Sequence, residues 1–355
     1  MSEQGTVHVA EYLQRADALR ASALVAVPAN VLEALRSAKR LWVVPHERPD
    51  ADALGAALGL KAILGQFGAE VAVISADAPP AVYNVIPTIA EVALEAPTWQ
   101  PDAIVLVDCA DPKRAGRIGE LIIALPVSTP RILIDHHVSN ETTWPLAWVD
   151  ARAAATCEMV SLIALALGAD LSVDEGRLAT TLAAGVIMDT ATFQHGNTTP
   201  RTLEVGGLLL AAGAPISEIS RKIYRSKPLA QVQLHARVLA SLSTSDSGRT
   251  VFATMTLADL AEVGASLEMS EGIVDSLAHV SEADVGIFFK EDSMTSSRIS
   301  VRTKGDGPDA TAIAGAFGGG GHARAAGATI ELPVREAANL VLAHVTALRA
   351  QSVAG

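Results

Sequence analysis

Leu41-Trp42-Val43-Val44-Pro45-His46-Glu47-Arg48-Pro49-Asp50-Ala51-Asp52 starts as a continuous apolar run and ends in a loop carrying an imidazole and two aspartates. The first four residues read as a strand buried on both faces, because such strands lose the usual in-out alternation. The residues that follow, Ala53 to Phe67, have apolar side chains at helical spacing and end at Gly68. Strand, tight loop and helix together form the opening unit of an α/β fold. The pattern repeats outward from this stretch. Val31 to Arg40 has helical spacing behind Pro28, with Asn30 and Glu33 spaced as a capping box. Val71 to Ile74, Ile104 to Val107 and Ile132 to Ile134 read as further short buried strands. Alternation of this kind predicts a mostly parallel, doubly wound sheet with helices on both faces.

The second half of the chain reads differently. Ser172 and Glu175 have capping-box spacing and open a helix running toward Met188. Helical patterns continue from about Pro200 to Leu242, and Ser243 to Gly248 is a polar, turn-rich break. After it come a strand (Val251 to Met255), a helix (Ser270 to Val280), two strands (Asp284 to Phe289 and Arg298 to Arg302), a helix (Ala310 to Phe317), a run of glycines and a strand-like segment, Ala328 to Leu332. The expected organisation is a larger α/β domain over residues 1–200, a helical connector over 201–242 and a smaller α/β domain over 243–355, with a cleft between the two domains.

Composition narrows the partners. The 355 residues suffice for two cores, and with 50% hydrophobic but 4% aromatic residues those cores are aliphatic. A net charge of −12 argues against tight binding of long duplex nucleic acid, which needs a broad basic surface. A small phosphate-bearing substrate is compatible with it, because a few local cations can hold one. Cys109 and Cys157 are too few for a disulfide framework or a cysteine zinc site and read as reduced thiols. Met1-Ser2-Glu3-Gln4 lacks the basic and apolar regions of a signal peptide, and no apolar stretch is long enough to span a bilayer. A cytoplasmic protein with no membrane association is expected, and a homodimer is compatible with the sequence.

The chemistry lies at the ends of the predicted strands. His46, Asp50 and Asp52 follow the first, Asp108 follows Ile104 to Val107, and Asp135-His136-His137 follows Ile132 to Ile134. Asp189 ends the apolar run Leu182 to Met188. Open α/β sheets place ligands at the carboxyl ends of their strands, and buried carboxylates are costly unless paired or bound to metal. Imidazoles and carboxylates converging there point to a divalent-metal cluster. Successive side chains on an extended backbone point to opposite sides. One of His136 and His137 is therefore expected as a ligand and the other as a substrate-contacting or proton-transfer group. In the second domain, Gly318 to Gly321 suits the approach of an anion to the backbone. His322 follows directly, and Arg298 and Arg302 share one face of a strand by their even spacing. Arg114 and Arg117 could approach the substrate but read as charged loop residues facing water, and Asn197-Thr198-Thr199-Pro200 is an active-site loop or, the favoured reading, the cap of the next helix.

Asp135-His136-His137, taken with His46-x-x-x-Asp50-x-Asp52, Asp108 and Asp189, resembles the motif set of the DHH phosphoesterase superfamily, and Gly318-Gly319-Gly320-Gly321-His322 resembles the signature of its DHHA1 domain. The motifs run in the family's order along most of the chain. The branch most similar in length comprises nano-RNases, 3′-phosphoadenosine-5′-phosphate phosphatases and cyclic-dinucleotide phosphodiesterases. The resemblance implies that His46 and Asp50 hold one cation, that Asp52, His136 and Asp189 hold another, and that Asp108 bridges them. It implies two Mn2+ ions, replaceable by Mg2+ or Co2+. Asp135 would orient a histidine from behind, and His137 would face the scissile phosphate. Two ions roughly 3.5–4 Å apart would acidify a bridging water, and the resulting hydroxide would attack phosphorus in line with no covalent intermediate. The DHH domain would carry catalysis. Arg298, Arg302, Gly318 to Gly321 and His322 of the DHHA1 domain would hold a small nucleotide substrate, short single-stranded RNA included. Competing expectations are a RecJ-like single-strand exonuclease, a pyrophosphatase or exopolyphosphatase, and a catalytically silent nucleotide sensor.

Overall fold

The computed structural model describes residues 17–137, 140, 142 and 144–354, with side chains described up to residue 350. The leader reading at Met1 to Gln4 falls outside the described residues. The chain divides into two compact units, with the boundary between Ser226 and Lys227.

The first unit opens with helices α1 (Asp17–Ala26) and α2 (Ala29–Ser37). Then come β1 (Arg40–Val44), α3 (Ala51–Gly65), β2 (Glu70–Ile74), β3 (Val92–Ala93), β4 (Ala103–Val107), α4 (Arg117–Ala124), β5 (Arg131–Asp135) and β6 (Leu146–Val149). It closes with four helices, α5 (Thr156–Leu167), α6 (Val173–Thr190), α7 (Pro200–Ala211) and α8 (Ile216–Arg225). The six strands form one parallel sheet in the order β3-β2-β1-β4-β5-β6. From β1 the chain moves outward to β2 and β3, then returns to place β4 on the other side of β1. The carboxyl ends of β1 and β4 therefore flank the topological switch point, where open α/β sheets bind their ligands.

Strand side chains fill both faces. Trp42, Val44, Ile104 and Leu106 pack with Ile118 and Ile122 of α4 on one side. Leu41, Val43, Val105 and Val107 pack with α3, α5 and α6 on the other. Burial on both faces explains why these strands read as unbroken apolar runs. Helix α3 is apolar nearly all round, and α5 is buried along its whole length. Both are interior helices rather than amphipathic surface ones.

Neither expected capping box forms. Pro28 stands at the N-cap of α2, and the Asn30 amide instead donates to Pro145 O (3.0 Å). At α6, Asp174, Glu175 and Gly176 are all left-handed (φ 50°, 57° and 81°), so Glu175 cannot reach back to Ser172. Ser172 donates to Asp170 Oδ1 instead. Residues 201–242 are shared between the units: α7 and α8 lie in the first, and the helix that follows opens the second.

That helix is α9 (Leu229–Ala240), followed by β7 (Ser243–Ser245), β8 (Thr250–Met255), α10 (Leu257–Val263), α11 (Ile273–Ala278), β9 (Val285–Ser293), β10 (Ser296–Thr303), α12 (Ala310–Gly315), β11 (Gly320–His322), β12 (Ala325–Ile330) and α13 (Val334–Ala354). They build a mixed sheet in the order β11-β12-β10-β9-β8-β7, parallel only between β8 and β9. The Ser243–Gly248 break thus contains an edge strand, and the glycine run is itself part of one. No single helix among the described residues is long and apolar enough to cross a membrane.

Candidate metal centre

The loop leaving β1 carries His46 and then caps α3. Asp50 Oδ1 accepts from the amides of Asp52 (2.9 Å) and Ala53 (3.0 Å), which fixes its carboxylate at the helix start. Asp52, the second residue of α3, is fully buried. Its two oxygens accept from the first amides of α5, Thr156 N (2.6 Å) and Cys157 N (2.8 Å). A helix N-terminus aimed at a carboxylate is electrostatically favourable and leaves the anion precisely oriented. Asp108 follows β4 with a left-handed backbone (φ 53°), a conformation Asp tolerates better than most residues. Thr156 Oγ1 donates to its Oδ1 (2.9 Å).

Asp108 faces two ways. Its Oδ2 lies 3.5 Å from His46 Nε2, and its Oδ1 lies 3.5 Å from His136 Nε2. His136 Nε2 is also 3.2 Å from Asp189 Oδ2 and 3.9 Å from Asp52 Oδ2. Donor atoms of His46, Asp50 and Asp108 fall within 4.8 Å of one another, as do those of Asp52, His136 and Asp189 and those of Asp108, His136 and His137. The fold thus gathers His46, Asp50, Asp52, Asp108, His136 and Asp189 into adjoining clusters. The two neighbouring histidines do not diverge as an extended strand requires. β5 ends at Asp135, and both rings turn toward Asp108, with centroids 4.8 Å apart. Asp135 serves His137: its Oδ1 meets His137 Nδ1 at 2.7 Å, while its Oδ2 accepts from the Asn140 amide at 2.6 Å.

Charge in this pocket is unbalanced. Among the described residues no Lys or Arg pairs with Asp50, Asp52, Asp108 or Asp189; histidines are their only ionic partners. Burial, then the charges of Asp189 and Asp108, push the Asp52 carboxyl well above the usual range. Burial and the charges of Asp108 and Asp189 do the same in a smaller degree to Asp50. Burial alone would lower His136, but the Asp189 hydrogen bond and the charges of Asp52 and Asp108 raise it to about 10. The pocket therefore attracts positive charge, and its oxygen and imidazole donors fit hard-to-borderline divalent cations. Each ring nitrogen outside the cluster has a carbonyl: His46 Nδ1 contacts Glu47 O (2.7 Å) and His136 Nδ1 contacts Ala153 O (3.3 Å). Nδ1-protonated tautomers satisfy both contacts and leave Nε2 free to ligate.

Residues 40–186 match the DHH family, N-terminal domain, and residues 249–348 match the DHHA1 domain. A Thermus thermophilus protein named bifunctional oligoribonuclease and PAP phosphatase NrnA is 31% identical over 304 residues, covering 85% of this chain and 87% of its own. The chain belongs to the DHH family. It is a phosphoesterase, a hydrolase of phosphoric ester bonds. A Bacillus subtilis protein of the same name is 28% identical over 289 residues, covering 80% of this DHH chain and 87% of its own. A crystal structure titled as an exopolyphosphatase-related protein from Bacteroides fragilis shares the fold, with a TM-score of 0.80 at 22% identity over 91% of this chain and 98% of that one.

Several residues that build this DHH centre are invisible to motif reading. Thr156 and the Cys157 amide act through the start of α5, which is buried all round and so shows no amphipathic period to reveal it. Tyr224 Oη donates to Met188 O (2.6 Å) at the end of α6, beside Asp189. Asn197 is more than part of a helix cap. Thr199 caps α7, while the Asn197 amide reaches Asp189 O (3.2 Å) and Ala154 O (3.1 Å). Arg117 pairs with Glu95 (3.3 Å) and is not directed at the cluster.

In the second unit, Arg302 pairs with Ala325 across β10 and β12, and Ala325 pairs with His322 across β12 and β11. Directly paired residues share a sheet face, so Arg302 and His322 stand on the same one, with Arg298 further along β10. Arg298 meets Asp292 (3.2 Å) and Arg302 meets Asp275 (3.0 Å), both pairs partly exposed. Two of the four glycine amides are already taken, and Gly320 and Gly321 belong to β11. The amides of Gly318 and Gly319 donate to Gly315 O (3.1 Å) and Ala314 O (3.0 Å) and are not available to a ligand. A Cβ on Gly319 would lie 2.1 Å from Gly327 O, so this glycine lets two backbones touch.

Proposed function

We propose that this chain hydrolyses phosphoester bonds of small nucleotides, short oligoribonucleotides and 3′-phosphoadenosine 5′-phosphate first among them, with two divalent cations, manganese by preference. The observation that carries the reading is Asp108, whose two oxygens face different clusters, Oδ2 toward His46 and Oδ1 toward His136. The relatives named oligoribonuclease and PAP phosphatase support the substrate class.

His46, Asp50 and Asp108 would hold one cation, and Asp52, His136, Asp189 and Asp108 the other. When bound, such a pair supplies an acidified water as nucleophile and Lewis-acid stabilisation of the phosphoryl oxygens. His137 is 37% exposed at its side chain, and its Nδ1 is held by Asp135, which leaves Nε2 directed away from that carboxylate. The Asp135 hydrogen bond raises its pKa against the effect of burial. A proton kept on Nε2 is then available to a phosphoryl oxygen or to the departing alkoxide. No side chain in the cluster need act as the nucleophile. On the second unit, Arg302, Arg298 and His322 share a face with the small residues Ala325 and Gly327, which suits the anionic and flat parts of a nucleotide.

The test is hydrolysis of a panel consisting of a linear diribonucleotide, 3′-phosphoadenosine 5′-phosphate, a cyclic dinucleotide and pyrophosphate, each with Mn2+ and after chelation. Turnover of the first two that disappears on chelation and returns with Mn2+ is expected. Pyrophosphate as the preferred substrate, or undiminished turnover in chelator, would overturn the proposal.

A further inference from the structure

Behind the cluster lies a polar network that the reaction does not touch. Glu158, in the first turn of α5, is fully buried. Its Oε1 accepts from Arg201 Nε (2.5 Å), and its Oε2 accepts from Ala154 N (3.1 Å) and Thr202 Oγ1 (2.8 Å). Arg201 Nη1 reaches on to Asp150 Oδ2 (2.9 Å), whose other oxygen accepts from Arg152 N (3.1 Å). A buried charge set of this kind is costly to assemble and contributes little net stability.

Three of these bonds end on the turn 150–155 between β6 and α5, and the other two hold Glu158 in the first turn of the helix that leaves it. That turn supplies Ala153 O to His136 Nδ1, and Ala154 O to Asn197, whose amide also holds Asp189 O. It also leads into the Thr156 and Cys157 amides that grip Asp52. All three members of the Asp52, His136 and Asp189 cluster therefore hang on one turn. His46 and Asp50 are held by other partners, Glu47 O and the amides of α3.

We propose that the turn 150–155, fixed by Glu158 and Arg201 and tied to Asp189 by Asn197, sets the ligands of one cation only, the one held by Asp52, His136 and Asp189, and that Glu158, Arg201 and Asn197 are positioning residues for it. This rests on the two-cation reading above. Losing a partner behind a ligand costs about 10- to 100-fold in metal affinity. The test is titration of the full chain with Mn2+, reading free ion by electron paramagnetic resonance, for wild type, Glu158→Gln and Asn197→Ala. Wild type takes up two ions per chain. Both variants keep one ion at unchanged affinity and bind the other about 10- to 100-fold more weakly. Asn197 is exposed, so its variant decides the matter if circular dichroism shows Glu158→Gln unfolded. Equal weakening of both ions, or of neither, in a variant of a chain that binds two overturns the positioning role alone. Fewer than two ions on wild type overturns the two-cation reading and this inference with it.

Discussion

Replacing Asp108 with Ala is expected to reduce kcat by about 10^3-fold or more, equivalent to roughly 4 kcal/mol of lost transition-state stabilisation. The reason is geometric. Asp108 alone presents one oxygen to His46 and the other to His136, so its loss removes a donor from both proposed cation sites at once. Loss of any other member leaves one cluster complete. The structural cost is smaller. Ala at a backbone with φ 53° costs about 1–2 kcal/mol, and removing one of several crowded carboxylates relieves repulsion that already pushes Asp52 upward. The variant should therefore keep its circular dichroism spectrum and a cooperative melt. Activity within about tenfold of wild type in a folded Asp108→Ala chain would contradict the bridging role.

Gly185→Ala is expected to destabilise the fold and inactivate it together. In an open helix this change gains about 0.5–1 kcal/mol, because Gly loses more backbone entropy than Ala. Here the added Cβ would lie 2.3 Å from Cys157 Sγ, 2.6 Å from Asp52 Oδ1 and 2.8 Å from Asp52 Cα. A backbone atom cannot swing aside as the end of a side chain can. Overpacking of this kind costs about 1–3 kcal/mol and outweighs the helix gain. The strain falls on Asp52, which would be prised off the Thr156 and Cys157 amides. Gly185 also lies one turn before Asp189 on α6, so the contact that lets α6 approach α3 is the one that brings Asp189 to Asp52. A shift of about 1 Å in such a group can cost 10²-fold in rate. A lower denaturation midpoint with kcat/KM down about 10²-fold is the expected pair of results. A rise in stability with unchanged activity would show that the two helices are not in close contact there.

The ends of β1, β4 and β5 were legible in the sequence for a physical reason. A parallel sheet covered on both faces turns its strands into apolar runs, and polar residues reappear where the runs stop. His46, Asp108 and Asp135 each stand at such an end. What escaped the sequence depends on contacts between distant segments. Glu158 and Arg201 are 43 residues apart and find each other only because α5 and α7 pack. The start of α6 misled because Ser172 and Glu175 have the right spacing, yet Asp174, Glu175 itself and Gly176 are left-handed. The glycines suggested a loop, whereas Gly320 and Gly321 pair with Gly327 and Ala326 as a strand. Side-chain alternation separated His136 from His137, but it holds only while the strand continues, and β5 stops one residue before them.

Five of the nine non-glycine residues with positive φ among the described residues lie around the cluster. Arg48 (φ 50°) and Asp108 (φ 53°) lie in the two loops of the switch point, and Ala191, Thr192 and Phe193 (φ 46°, 60° and 64°) form a left-handed run just after Asp189. Side chains with a Cβ adopt this conformation at a cost that the surrounding structure must offset, and such sites cluster at functional centres.

The central claim is that two cations share Asp108. It is tested most directly by anomalous diffraction at the manganese edge from crystals of the chain grown with Mn2+. Two peaks roughly 3.5–4 Å apart are predicted, one coordinated by His46 and Asp50, the other by Asp52, His136 and Asp189, with Asp108 between them. A single peak, or two peaks with Asp108 bound to only one, would contradict it.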